Sequence, residues 1–140
     1  MKVLIDTNVF LVSIPKKSSA RPIFDALLKG KFQLIISNDI LLEYVEVITE
    51  KTNSAVANNI SDLLLKSRYV TKADVYFKWN LIEADKDDNK FVDCAISGRA
   101  DFLVSNDKHF NVLKHASLSF PGFEVVSSND FLKLLEQLAR

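Results

Sequence analysis

Apolar residues along this chain fall in short runs separated by polar, turn-forming stretches, and the runs alternate between two spacings. Lys2–Ile5 opens as a buried strand. With Phe10-Leu11-Val12 beyond Asp6-Thr7-Asn8 it forms a nearly continuous apolar stretch, the pattern of a strand covered on both faces. A loop is expected over 13–20. Pro22 then takes an early helical position, with Ile23, Phe24, Ala26, Leu27 and Leu28 on the buried side and Gly30 as the stop. Residues 32–36 predict a second strand. Ser37, Asn38 or Asp39 can cap the next helix, whose Ile40, Leu41, Tyr44, Val45 and Ile48 recur at helical spacing. The pattern pauses at Thr52-Asn53, and 55–68 reads as a further helix. Residues 69–77 have the β-branched, alternating content of a strand or a strand-like connection.

An acidic loop over 83–89 precedes a short helix at 90–98 that packs through Phe91, Val92, Ala95 and Ile96. Residues 101–105 predict a strand ending at Asn106-Asp107. A last strand is expected within 120–127, with Ser127, Ser128 or Asn129 capping a closing helix. Short apolar strands alternating with helices predict an α/β fold: a three-layer α/β/α sandwich around a mostly parallel sheet of four or five strands. The chain, 140 residues without a linker or repeat, is expected to form a single domain over 1–140.

Composition narrows the class. Hydrophobic residues make up 48% and charged residues 26%, which excludes a disordered chain. No apolar run nears the roughly 20 residues of a membrane span, and the N-terminus lacks a signal-peptide pattern. Cys94 is the single cysteine, so no internal disulfide is possible and a cytoplasmic location is expected. Eighteen basic residues balance 18 acidic ones, so any nucleic-acid partner must be held by local charge rather than bulk attraction.

Right-handed crossovers bring the C-terminal ends of parallel strands to one edge. Four acids belong to that edge: Asp6 after the first strand, Glu43 early in the helix after the second, Asp88 at the start of the short helix, and Asp107 after the strand 101–105. Two carboxylates about 4 Å apart repel by roughly 4 kcal/mol at an effective dielectric near 20. Convergence therefore calls for protonation or a cation, and all-oxygen ligation favours Mg²⁺ or Mn²⁺ over zinc. His109 and His115 make no usual zinc-ligand spacing with Cys94. Ordinary readings exist beside these: Asp6, Asp88 and Asp107 as caps, Glu43 as a solvated helical glutamate, Cys94 as a core thiol, Trp79 as a packing residue rather than a base-stacking one, and Asp101 as structural.

Asp6-Thr7-Asn8, Ile40-Leu41-Leu42-Glu43, the run from Asp88 to Ala95 (DNKFVDCA) and the run from Ala100 to Asp107 (ADFLVSND) together resemble the PIN-domain family. They look most like its bacterial branch of toxin components of toxin–antitoxin systems, the VapC-like ribonucleases, over about residues 1–111. The resemblance implies a divalent-metal-dependent endoribonuclease that uses Mg²⁺ or Mn²⁺. It carries the family's acids onto Asp6, Glu43, Asp88 and Asp107, with Thr7, Asn8 and Ser105 orienting them. Asp85, Asp87, Asp88 and Asp93 compete for the third acid. Asp88 fits the pattern best, three residues before Phe91, and Asp93 is kept as an auxiliary acid. Ser105 and Asn106 stand where the family usually has threonine and glycine. The toxin role implies a cognate antitoxin and a homodimer. Lys16, Lys17 and Arg21, beyond the first acid, are candidate contacts for RNA phosphates. Two other functions fit a small acidic α/β domain: a receiver-like phosphoacceptor, and an RNA-binding module of the same fold without catalysis.

Overall fold

The computed structural model describes residues 1–83, 85–114 and 122–139. Five parallel strands form the central sheet: β1 (Lys2–Ile5), β2 (Gln33–Ile36), β3 (Val70–Lys72), β4 (Phe102–Val104) and β5 (Glu124–Val126). Their order is β3-β2-β1-β4-β5. The helices flanking it complete a three-layer α/β/α sandwich. These are α1 (Thr7–Ser13), α2 (Arg21–Leu28), α3 (Asn38–Lys51), α4 (Ser54–Lys66), α5 (Asn89–Ser97), α6 (Asn111–Lys114) and α7 (Ser128–Leu138). The first strand is the middle one, and its Val3, Leu4 and Ile5 are almost completely buried. That explains the uninterrupted apolar run, since a strand with neighbours on both edges and helices on both faces has no side for a polar residue.

The order β3-β2-β1-β4-β5 places a switch point between β1 and β4, where the chain has built outward in opposite directions. Open α/β sheets bind ligands outside the carboxyl ends of the strands at such a point. Receiver-like domains have the different order 2-1-3-4-5.

Two expectations are corrected. Residues 7–13 form a helix rather than an apolar strand continuation and loop. Asp6 is its N-cap, accepting a hydrogen bond from the Val9 N–H at 2.9 Å. Val9, Phe10 and Ser13 then face the core, while Val12 is left half exposed. Phe10 stacks on Tyr44 of α3 with ring centroids 4.3 Å apart, and the Tyr44 hydroxyl donates to the Ile5 carbonyl. The strand expected over 69–77 pairs with β2 only at Val70–Lys72. From there to Glu83 the chain runs without regular structure. Two buried side chains of α5 hold this segment: Asn89 accepts from the Ile82 N–H at 2.8 Å and donates to its carbonyl at 3.0 Å, and Asp93 accepts from the Trp79 N–H at 3.0 Å.

The stop after α2 forms as expected. Gly30 has φ +73°, its N–H reaches the Leu27 carbonyl and that of Lys31 reaches Ala26, the paired bonds of a Schellman cap. The Tyr69 ring lies against Gly30 where a Cβ would be. The buried apolar residues form one cluster that includes Cys94, and burial pushes that thiol up to about 12. Asp101 accepts from the Lys2 N–H at 2.8 Å, far from the carboxyl ends, in keeping with a structural role. His115 and the expected strand start at Phe120 lie outside the described residues. Among the described residues, no helix is long and apolar enough to cross a membrane.

Candidate active site

At the switch point the backbone prepares the site before any side chain does. The Asp6 N–H continues the β1–β4 ladder by donating to the Val104 carbonyl at 3.0 Å, which fixes Asp6 beside the residues that follow β4. One Asp6 oxygen caps α1. The other accepts from the Ser105 hydroxyl, and that hydroxyl in turn accepts from the Asp107 N–H at 3.0 Å. Ser105, 99 residues after Asp6, thus joins the first acid to the last.

A cavity of about 260 Å³ opens there, lined by Asp6, Thr7, Asn8, Glu43, Asp85, Asp87, Asp88 and Asp107 together with Val47 and Phe91. The four acids singled out from the sequence therefore share one cavity, and Asp85 and Asp87 join them. Each acid is held differently. Asp6 is only 6% exposed. Glu43 accepts from the Thr7 hydroxyl and pairs with Lys90 Nζ at 2.5 Å, so it is not a merely solvated glutamate. Asp88 stands at the N-cap position of α5 but makes no capping bond with its side chain; its carboxylate instead meets His109 Nδ1 at 2.8 Å. Asp107 caps the turn Lys108–Phe110 by accepting from the His109 N–H at 2.9 Å.

The electrostatics reflect crowding. Burial raises the Asp6 carboxyl above the usual carboxylate range. Bonds from Ser105 and Val9 draw it back, and the charges of Asp107 and Asp88 raise it further. Asp88 is also raised, first by desolvation, against the bond from His109, with Asp107 and Asp85 adding repulsion. His109 is raised in turn, chiefly by its bond to Asp88. Among the described residues no lysine or arginine forms an ion pair with Asp6, Asp85, Asp88 or Asp107. Carboxylates left in this state fit a hard divalent cation.

Other candidates fall elsewhere. Asp93 lines not this cavity but a neighbouring groove of about 920 Å³, where it anchors Trp79 rather than joining the other acids. Arg21 bonds Asp25 at 2.9 Å, donates to the Ile14 carbonyl and lies over the Phe24 ring, 4.9 Å from its centroid. Its guanidinium is thus spent on local structure. Lys16 and Lys17 are exposed and line neither cavity. Asn106, where the resemblance led one to expect glycine, is not among the residues with positive φ. It donates to Ser128 Oγ and accepts from the Ser128 N–H, both at 3.0 Å, tying this loop to the start of α7. Phe77 and Trp79 are both exposed, with ring centroids 4.5 Å apart, so the indole rests on a neighbouring surface ring rather than in the core.

Lys90 and His109 were not among the sequence candidates, although each lies two residues after an acid of the site. A short helical turn brings such neighbours to the same end of the element.

A family model described as PIN domain matches residues 2–109. The chain belongs to the PIN-domain family. Comparison with curated proteins gives no match. Solved structures agree with this PIN domain in fold at low identity. A chain of the Rickettsia felis VapBC2 complex, bound to a DNA fragment from its promoter, is 18% identical, with 91% of this chain and 98% of that one covered and a TM-score of 0.59. The Mycobacterium tuberculosis toxin VapC20, described as cleaving the sarcin-ricin loop, is 12% identical, with 83% and 98% covered and a TM-score of 0.59. A chain of VapBC-1 from nontypeable Haemophilus influenzae is 14% identical, with 92% and 99% covered and a TM-score of 0.58.

Proposed function

We propose that this PIN domain is a divalent-metal-dependent endoribonuclease and the toxin of a toxin–antitoxin pair. The observation that carries the reading is the convergence of Asp6, Glu43, Asp88 and Asp107, from four separate parts of the chain, on one small cavity at the switch point of the sheet. Asp6 and Asp107 hold the cation most directly and Asp88 completes the set. Bound there, Mg²⁺ or Mn²⁺ supplies an acidified water and neutralises charge on the phosphodiester as it is attacked.

The chain's own groups do the positioning. Ser105 fixes the outer oxygen of Asp6 and the backbone of Asp107 together. Thr7 and Lys90 hold the Glu43 carboxylate at the cavity wall, where it orients the attacking water. Asn8 is exposed and lines the cavity but makes no side-chain hydrogen bond to these acids among the described residues, so in this reading it meets the substrate rather than orienting them. Lys16 and Lys17 meet backbone phosphates farther along the strand, an electrostatic contact that weakens with salt. Similarity in fold to chains of two VapBC complexes supports an antitoxin partner, and similarity to a toxin described as cleaving the sarcin-ricin loop supports RNA as substrate. Self-association into a homodimer is part of the same reading.

The test is cleavage of a single-stranded RNA with Mn²⁺ or Mg²⁺ present and with a chelator added. Cleavage is expected only with the ion, and Asp6→Asn or Asp107→Asn is expected to lower its rate by about 100-fold or more, at or beyond the upper end of what losing a group that merely supports a metal ligand costs. Undiminished metal-dependent cleavage by Asp6→Asn would sink the arrangement. The receiver-like alternative is set aside by the sheet order and by family membership.

A further inference from the structure

The carboxyl edge of the sheet gathers acids, and the amino edge gathers the opposite charge. β3, β2, β1 and β4 are adjacent and parallel, so their entrances lie side by side. Val70, Leu34, Val3 and Phe102 stand in register across them, and shortly before these come Arg68, Lys31, Lys2 and Arg99. With strands about 4.8 Å apart, this row of cations extends over roughly 14 Å. All four are exposed, and none makes an ion pair among the described residues. Arg68 lies over the Tyr69 ring, 5.2 Å from its centroid, which steadies it at this edge. Acids near the row are Asp101, which accepts from the Lys2 N–H, and Glu124 on the outer strand β5.

We infer that this amino-edge row binds the phosphate backbone of the RNA substrate, at the end of the sheet opposite the cavity. The inference deepens the proposed function and rests on RNA being the substrate. Charge complementarity carries it, because exposed cations without acidic partners meet phosphates and release their counterions while reading no base. Local structure does not account for the row. A helix dipole explains a cation in a last turn, as at Lys66, but Lys2 begins a strand, and Lys31, Arg68 and Arg99 stand beyond the caps of their helices. Arg99 is the most telling of them. α5 closes with the same paired bonds as α2, from the Arg99 N–H to the Ile96 carbonyl and from the Ala100 N–H to that of Ala95. At the left-handed position of this cap α2 has Gly30, whereas α5 has Arg99 with φ +54°. That conformation favours glycine, so the backbone gives no reason for an arginine there. β1 spans four residues, about 13 Å, which keeps the row clear of the phosphate being cut. An RNA that meets both ends of the sheet must be long or folded, and the row selects such RNA over short fragments.

Binding, read apart from cleavage, tests this. A labelled RNA stem-loop is titrated by fluorescence anisotropy, with a chelator present, at KCl concentrations from about 50 to 200 mM. The variants are Arg99→Gly, the pair Lys31→Gln with Arg68→Gln, and a control pair, Lys78→Gln with Lys86→Gln. The control removes the same charge from exposed lysines of the 920 Å³ groove, where carboxylates outnumber lysines. Arg99→Gly suits the left-handed backbone and is expected to melt at or above the wild-type temperature. The row variants should lower the slope of log affinity against log salt by about one for each cation removed. At the lowest salt the row pair should bind on the order of ten-fold or more weakly, and the control pair should bind like wild type. In Mn²⁺, cleavage of the same stem-loop by the row variants should show a raised KM with kcat unchanged. Equal weakening by the two pairs means that bulk charge alone acts, and overturns the row. Wild-type affinity in the row pair for the stem-loop, with affinity lost for phosphatidylserine vesicles, makes the edge a membrane surface and also overturns it. Metal-dependent cleavage by the wild type would leave the proposed nuclease intact in both cases. A wild-type protein that neither binds nor cuts RNA overturns both.

Discussion

Asp6 holds two positions at once, one oxygen closing the first turn of α1 and the other facing Ser105 and the cavity. Asparagine caps a helix about as well as aspartate, whereas alanine costs about 1 kcal/mol. Asp6→Asn is therefore expected to melt close to wild type while losing cleavage, and Asp6→Ala to lose both; thermal melts beside the RNA assay separate the two effects. Ser105→Ala removes the bond linking Asp6 to the Asp107 backbone and leaves a buried carboxylate oxygen short of a donor. We expect destabilisation of about 1–3 kcal/mol by urea titration. Metal affinity should fall as well, because Asp6 and Asp107 are no longer held in common. The raised carboxyls of Asp6 and Asp88 give a signed pH dependence. An acid whose folded value lies above its unfolded one contributes most stability below the unfolded value, and that contribution is lost as pH rises through the folded one. His109, raised by Asp88, adds a loss in the same direction as pH rises through its own folded value. The metal-free protein is thus expected to lose stability on going from mildly acidic to neutral pH. Mn²⁺ should raise the melting temperature more at pH 7.5 than at pH 5, and an equal rise at both would contradict this origin of the cluster's strain. Asp6, Asp88 and Asp107 were legible in the sequence because each follows a strand end or opens a helix, whereas Glu43, in the second turn of α3, stood out only through that helix's place after β2 and the family resemblance. His109 and Lys90 were not, because their partners, Asp88 and Glu43, lie 21 and 47 residues away by number and only the fold brings them within 2.8 and 2.5 Å.

Among the secondary-structure elements, the segment between β3 and α5 shows how much depends on two side chains. Asn89 satisfies both the N–H and the carbonyl of Ile82, which is 2% exposed. Asn89→Ala leaves these buried backbone groups unpaired, at about 1–3 kcal/mol. The expected result is faster amide exchange over 79–83 than in wild type, with exchange in β1 and β4 changed only by the global loss of stability. Uniform acceleration everywhere would mean that the segment is not held locally. The strands were read correctly where apolar or β-branched runs coincided with pairing, as in β1 and β2. Residues 69–77 misled because β-branched content records an aptitude for pleated structure, while pairing depends on what lies alongside, and β2 offers a partner only to Val70–Lys72. Helix α1 was hidden for a related reason. Val9-Phe10-Leu11-Val12 is apolar at every step and carries no period, so the capping side chain of Asp6 and not the run itself decides the conformation.

For the molecule as a whole, charge balance conceals charge placement. The 18 acidic and 18 basic residues cancel, yet six of the acids face one cavity of about 260 Å³. A cation that binds the native state alone should therefore stabilise it by mass action, about 2.7 kcal/mol at 100 times its dissociation constant. In the thermal melts, a chelator should reverse this gain. The fold was legible down to its layers and parallel sheet, because short strands alternating with helices leave few other arrangements. Strand order was not, since nothing local in Lys2–Ile5 says that later strands will settle on both of its edges. That central placement bears on how the protein is made. A growing chain exposes Asp6 early, but the ladder that seats it needs Val104, and the hydroxyl that aims it belongs to Ser105. Contacts spanning so much sequence form late in folding. While the ribosome is still short of β4, the nascent polypeptide holds the first acid without the last. Until synthesis has passed residue 107, the four acids cannot share one cavity.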